Sequence, residues 1–176
     1  MDTPKRYHPA LVALHWLIAA LILGMLFIGY TRLGETPNDQ AKIETLSLHM
    51  PIGIAILALT ILRLGVRIFS KKPAPATAGN PILDKIGVAT HYLLYLVALG
   101  MGISGMGISA QAGLPAIVFE RAGSLPADFA AFPPAIGHGF LGFVLSGLIV
   151  LHVGAALYHQ FIRKDGLLAR MWFGKD

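Results

Sequence analysis

Four long apolar stretches, at about residues 10–30, 48–69, 83–109 and 136–162, limit this chain to very few architectures. Each reaches the about 20 residues that an α-helix needs to cross a hydrocarbon core of about 30 Å. The expectation is an all-α, four-transmembrane-helix bundle, with residues 1–176 forming a single integral membrane domain. Charge supports this more than the apolar share does. Only 13% of the residues are charged, about half the ~25% of a soluble domain, which needs a charged skin. Glycines recur inside the third and fourth stretches, where they permit close helix packing. Pro51 is expected in the first turn of the second helix, where its missing N–H costs little. The first stretch follows a basic N-terminus but is long and lacks a small-residue cleavage site, so it reads as a retained span rather than a signal peptide.

The net charge of +5 would suggest nucleic acid in a soluble protein, but its distribution fits a membrane, and no nucleic-acid partner is expected. Lys5 and Arg6 precede the first span. Arg63, Arg67, Lys71, Lys72 and Lys85 flank the second connection, and Arg163, Lys164, Arg170 and Lys175 close the chain. Only Arg32, Lys42 and Arg121 fall on the opposite side. The positive-inside rule therefore places both termini in the cytoplasm. Residues 72–81 read as a cytoplasmic loop. Residues 111–134 read as the longest extracytoplasmic loop, placed to cover the mouth of the bundle.

The chain has no cysteine, which excludes disulfides, iron–sulfur ligation and thiolate chemistry. Any iron must be held by other donors, and seven histidines are present. An ionisable residue inside a bilayer is costly and points to function. A single such histidine is as readily explained by a hydrogen bond to a neighbouring helix, so the set carries the argument. His138 and His152 lie 14 residues apart on the fourth span. At about 100° per residue they are some 40° short of four full turns, on nearly one face, and about 21 Å apart along the axis. His49 opens the second span, which also starts outside. His15 lies about a turn and a half into the first, which starts inside. Depth thus pairs His49 with His138 and His15 with His152. Bis-histidine ligation between bundle helices is a known way to hold haem, and it favours electron transfer over gas binding by filling both axial positions. The four are candidate axial ligands of two haem b irons.

Neighbouring residues suit a flat macrocycle. Gly53, Gly142, Ala19 and Ala156 each follow one of these histidines by four residues and leave room on the same face, although ordinary helix packing also uses small residues. Arg63 lies 14 residues after His49, on the same face at the inner depth. It is a candidate propionate contact and equally a cation that snorkels to the surface. His91 and His159 lie at the inner end. Either is an alternative iron ligand or a proton-handling group at a quinone site, and His159 also reads as an interfacial residue. His8 precedes the first span and is expected at the surface.

The elements Leu14-His15-Trp16-Leu17, Leu48-His49 with Gly53, Thr90-His91-Tyr92-Leu93-Leu94-Tyr95, Leu151-His152 with Ala155-Ala156-Leu157, and Tyr158-His159 followed by Lys164-Asp165 resemble the bacterial cytochrome b561 family. The motifs are short, but their order and spacing cover nearly the whole chain. The resemblance implies a dihaem cytochrome b of the bacterial inner membrane, with His15 and His152 on the cytoplasmic-side haem and His49 and His138 on the periplasmic-side haem. It also implies ubiquinone as electron acceptor and, of the superoxide oxidase type, superoxide as the leading donor. The quinone is then expected near His91, His159 and Lys164, where protonatable groups would supply the protons that its reduction takes up. The ascorbate-linked relatives have six spans, so ascorbate is not carried over. The outer segments carry more acids (Glu35, Asp39, Glu44, Glu120, Asp128) than bases, so an anionic donor would require a local basic spot.

Two other readings compete. One is a haem-bearing membrane anchor subunit of a larger redox complex, such as a hydrogenase or dehydrogenase, docked to a partner redox protein. The other is a haem-free transport or interaction protein, which a haem absorbance band would exclude. Two depth-matched pairs predict two low-spin b haems per chain. Haem–pyridine analysis of fully loaded protein should return two, and a value of one would overturn the two-pair reading.

Overall fold

The computed structural model describes residues 4–34 and 36–174. Glu35 and Lys175, which enter the charge distribution, lie outside the described residues. The described residues are helical, with no strand among them. Four long helices form the bundle: α1 (Pro9–Ile28), α2 (Gln40–Phe69), α3 (Pro81–Gln111) and α5 (Pro133–Leu157). Two short helices, α4 (Leu114–Phe119) and α6 (Leu167–Arg170), lie at opposite ends. Wider turns extend α1 over Gly29–Leu33 and α5 over Tyr158–Arg163. All four long elements are long and apolar enough to cross a membrane. Their outward faces carry exposed Leu23, Phe27, Phe69, Phe143 and Val150, a surface suited to lipid and not to water.

Helix starts follow local chemistry. The Asn80 side chain accepts from the N–H groups of Ile82 and Leu83, with Pro81 at the first position of α3. His8, expected at the surface, has a local role: its Nδ1 accepts from the Ala10 N–H at 3.2 Å and caps α1. The α2 start corrects the sequence expectation. The Asp39 side chain accepts from the Lys42 N–H, so α2 begins at Gln40 and Pro51 lies well inside it. Polar residues of the first turns hid this extension, because they lie outside the apolar run. Interior proline is tolerated in membrane helices, where side chains such as Ser and Thr re-satisfy freed carbonyls.

The 111–134 segment is more ordered than a plain loop. Leu114, Ile117, Val118 and Leu125 are buried against Leu46 of α2, so α4 seals one end of the bundle. At the other end residues 6–16 meet residues 169–171. The Tyr7 N–H donates to Arg170 O at 3.0 Å, Arg6 donates to Ala169 O at 3.0 Å, and Trp16 Nε1 donates to Met171 O at 2.8 Å. Arg170 reaches Ala74 O at 2.8 Å. Residues 6–7, the 167–171 turn and the α2–α3 connection therefore share one basic end.

The turn into α6 depends on Lys164 and Gly166, both in the left-handed region (φ 53° and 71°). It is pinned by Asp165. One carboxylate oxygen lies 2.5 Å from Nδ1 of the buried His159, and the other accepts the Leu167 N–H at 3.1 Å. Burial would raise the Asp165 pKa. The hydrogen bonds from His159 and Leu167 and the positive charge nearby outweigh it and hold the carboxyl below its usual range.

Packing within the bundle is uneven. α3 lies closely along α5, and α2 lies along α1 and α3. Glycines of α3 permit this. A Cβ on Gly102 would meet Leu57 Cβ at 2.9 Å, and one on Gly107 would meet Pro134 Cβ at 3.1 Å. By contrast, α5 reaches α1 and α2 mainly through side chains.

Two predictions follow from these contacts. Gly102→Ala should cost about 1–3 kcal/mol, read as a lower thermal midpoint in detergent. Gly147→Ala, with nothing within 4 Å, should leave the midpoint unchanged, and equal effects would refute the tight α2–α3 contact. A carboxylate with a depressed folded pKa adds stability above its unfolded value, and that stability is lost as pH falls through the folded value. Asp165→Asn should therefore lower the midpoint at pH 7, with the gap to wild type closing below about pH 4. A gap unchanged under acid would assign the contact to packing alone.

Candidate haem-binding site

The histidines singled out by spacing meet across the loosely packed sides of the bundle. His49 of α2 and His138 of α5 have ring centroids 6.3 Å apart. His15 of α1 and His152 of α5 have theirs 6.1 Å apart. With a metal–nitrogen bond of about 2.0 Å and each ring centre about 1.1 Å beyond its nitrogen, trans imidazoles on one iron would have centroids about 6.2 Å apart. Both pairs match this spacing. His91 of α3 also approaches His152, at 5.1 Å, which is too close for an iron between them without movement.

Hydrogen bonds fix two of these rings. His138 Nδ1 lies 3.1 Å from Met101 O and 3.0 Å from Ser104 Oγ. Donation to the carbonyl fixes the ring and leaves Nε2 with a free lone pair, as metal-ligating histidines commonly are fixed. His91 Nδ1 is committed in the same way, 2.7 Å from Gly87 O. Along α2, three buried polar atoms have no partner among the described residues: His49 Nδ1, Thr60 Oγ1 and Arg63 Nε. Thr60 and Arg63 follow His49 by 11 and 14 residues, close to whole numbers of turns, so all three lie on nearly one face. Buried polar groups are normally paired, and a row of unpaired ones along the histidine face fits a non-protein group.

The His49–His138 pair borders a cavity of about 620 Å³, within the 300–1,000 Å³ range of cofactor pockets. Gly53 and Gly142, each four residues beyond a histidine, line it. A Cβ on Gly53 would meet nothing within 4 Å, so the space beside His49 is open. Tyr30 and Ser146, 3.2 Å apart, join α1 to α5 at the same end, and Leu114, Ala127 and Phe129 form part of the wall. The 111–134 segment thus covers this cavity. A haem fits both the donor set and the space.

At the basic end, Arg63 lies close enough to His15, His91 and His152 to act on all three electrostatically. It donates to the Tyr95 hydroxyl, and its guanidinium lies 5.3 Å from the Tyr95 ring centroid. It therefore points into the bundle and does not snorkel. His159 is buried against Asp165, while Lys164 is exposed in the left-handed turn beside them. Sequence reasoning missed Ser104 and Met101 as supports of His138, Tyr95 as the partner of Arg63, and Asp165 as the partner of His159. It counted Lys42 only as an outer charge, yet Lys42 is buried and lines the cavity. Its position seven residues before His49 was the available signal.

Comparison with known proteins shows the family of the chain. The family model for prokaryotic cytochrome b561 matches residues 6–174. Cytochrome b561 homolog 2 of Escherichia coli strain K12 is 34% identical over 179 residues, covering 97% of this chain and 93% of the relative. Cytochrome b562 of Cereibacter sphaeroides is 30% identical, covering 91% of this chain and 90% of the relative. A probable superoxide oxidase, CybB, of Yersinia pestis is 26% identical, covering 95% and 96%. On the extent of these matches and the four spans, the chain belongs to the prokaryotic cytochrome b561 family, whose members are membrane electron-transfer proteins carrying b haem.

Proposed function

We propose that this chain binds two b haems and passes single electrons through them from superoxide to ubiquinone. The observation that carries the reading is the presence of two imidazole pairs, at 6.3 and 6.1 Å, on helices that otherwise keep apart. His49 and His138 hold the outer haem, and His15 and His152 hold the inner one. Bound haem iron supplies a one-electron couple. The superoxide donor is supported by the similarity to a probable superoxide oxidase. In the balanced reaction, two superoxide anions become two dioxygen molecules, and their two electrons with two protons reduce one quinone to quinol.

The protein supplies orientation and protons. Met101 O and Ser104 fix the His138 ring. Arg63, braced by Tyr95, faces the inner haem level, where a propionate would pair with its free Nε–H. The basic end lies in the cytoplasm, as the concentration of Lys and Arg there supports. Quinone is reduced at that end, near His91, His159 and Lys164. There the His159 ring, 2.5 Å from the Asp165 carboxylate, would hand protons on from the aqueous side.

Ligand deletion tests the pairing. His49→Ala and His138→Ala should deplete one spectral component, and His15→Ala and His152→Ala the other. A haem near one membrane face cannot also be held about 21 Å away along α5. Because haem binding adds to bundle stability, only variants giving a monodisperse detergent-purified peak are scored. His91→Ala and His159→Ala should keep both components and slow quinone reduction. Loss of a haem from His91→Ala but not from His15→Ala would assign the inner ligand to α3 instead.

A further inference from the structure

One buried charge remains unassigned by this reading. Lys42 is only 7% exposed. Its Nζ donates to Asn38 Oδ1 at 2.8 Å. Asn38 is itself held in place, donating from Nδ2 to Pro126 O at 2.6 Å and Ala127 O at 3.1 Å. Among the described residues no carboxylate lies within 4.0 Å of the ammonium. Asp39 Oδ1 accepts the Lys42 backbone N–H at 3.2 Å and Asp128 Oδ1 accepts the Ala130 N–H at 2.7 Å, and neither carboxylate pairs with the ammonium. A neutral amide does not compensate an ammonium withdrawn from water, which calls for an anion.

Position identifies the anion. Lys42 and Asn38 line the same cavity as His49 and His138. Lys42 precedes His49 by seven residues, so it lies within about 20° of the same face and about 10 Å further out along α2. A porphyrin held at His49 would share this cavity with the ammonium, so one of its carboxylates could reach Lys42. The ammonium is bonded to Asn38, which is tied to the 126–127 backbone, and its low exposure suits a resident anion more than one that diffuses in and out. We propose that Lys42 is the counter-cation of a propionate of the outer haem, with Asn38 holding the ammonium in place. Arg63 would do the same at the inner level, so one face of α2 would carry a cation for each haem. This inference rests on the two-haem reading.

The test is a potentiometric titration of the holoprotein as wild type, Lys42→Gln and Lys42→Arg, with redox-difference infrared spectra in the carboxylate region. The outer component is the one lost in His138→Ala. A nearby cation favours the reduced, electron-rich state. Lys42→Gln should therefore weaken the outer reduction equilibrium about tenfold, a downward shift of ~59 mV for one electron. The inner component should stay in place, a propionate carboxylate band should move, and Lys42→Arg should restore both. Loss of the outer haem from Lys42→Gln with retention in Lys42→Arg supports the assignment equally. Unchanged potentials and carboxylate bands in Lys42→Gln, at two haems per chain, would overturn it. So would unchanged potentials with a salt-sensitive loss of superoxide oxidation, which would make Lys42 a site for a diffusing anion. Loss of the haem from both variants would assign Lys42 to packing and also overturn it. One haem per wild-type chain would instead overturn the two-haem reading, before any variant is compared.

Discussion

Hydrocarbon offers a polar side chain no water, so each such group inside this bundle needs a partner or raises the free energy of the fold. Four imidazoles, the Arg63 guanidinium and the Lys42 ammonium lie between the helices, and protein atoms satisfy them only in part. His138 is held through one nitrogen and Arg63 through one of its three. His49, Thr60 and Arg63 each leave a buried polar atom without a partner. These groups line one face of α2 and the facing histidines of α1 and α5. Apolar residues of similar volume would be cheaper at those positions unless a further group completes the polar contacts. Two haems would do so, with iron for the imidazoles and propionates for the cations.

The space for that group comes from a division of labour among the helices. Glycines of α3 let it approach α2 at Gly102 and α5 at Gly100 and Gly107 so closely that an added Cβ would lie 2.9–3.2 Å from Leu57, Leu141 or Pro134. That seam anchors α5 from one side. On its other side α5 presents His138 and His152 across a gap bridged by side chains, at the spacing of trans ligands. The ends of the bundle are closed differently. The Leu114–Leu125 segment packs on Leu46 over the His49–His138 cavity, while the C-terminal turn folds back to Arg6, Tyr7 and Trp16 at the basic end.

Much of this was legible in the sequence, for physical reasons. Bilayer thickness fixes span length, so the four spans stood out. Helical periodicity fixes depth and face, so the pairs His49–His138 and His15–His152 emerged from spacing alone. Arg63 was placed at the right level but left undecided between bundle and surface, because only tertiary structure shows Tyr95 beside it. The start of α2 was misjudged, since Asp39 capping is a local hydrogen bond outside the apolar run. The α4 helix was read as loop because six residues are too few to show a period. Ser104, Asp165 and the burial of Lys42 depend on contacts between segments distant in sequence or on a turn with two left-handed residues. No pattern along one helix encodes the first two, and for Lys42 the spacing of seven from His49 gives its face but not its burial.

The central claim is that two irons lie at two depths, each between its own pair of histidines. Anomalous diffraction at the iron absorption edge, from crystals of the haem-loaded protein, tests it most directly. The account predicts two iron peaks per chain about 20 Å apart, one between His49 and His138 and one between His15 and His152. A single peak, or an inner peak coordinated by His91 in place of His15, would contradict it.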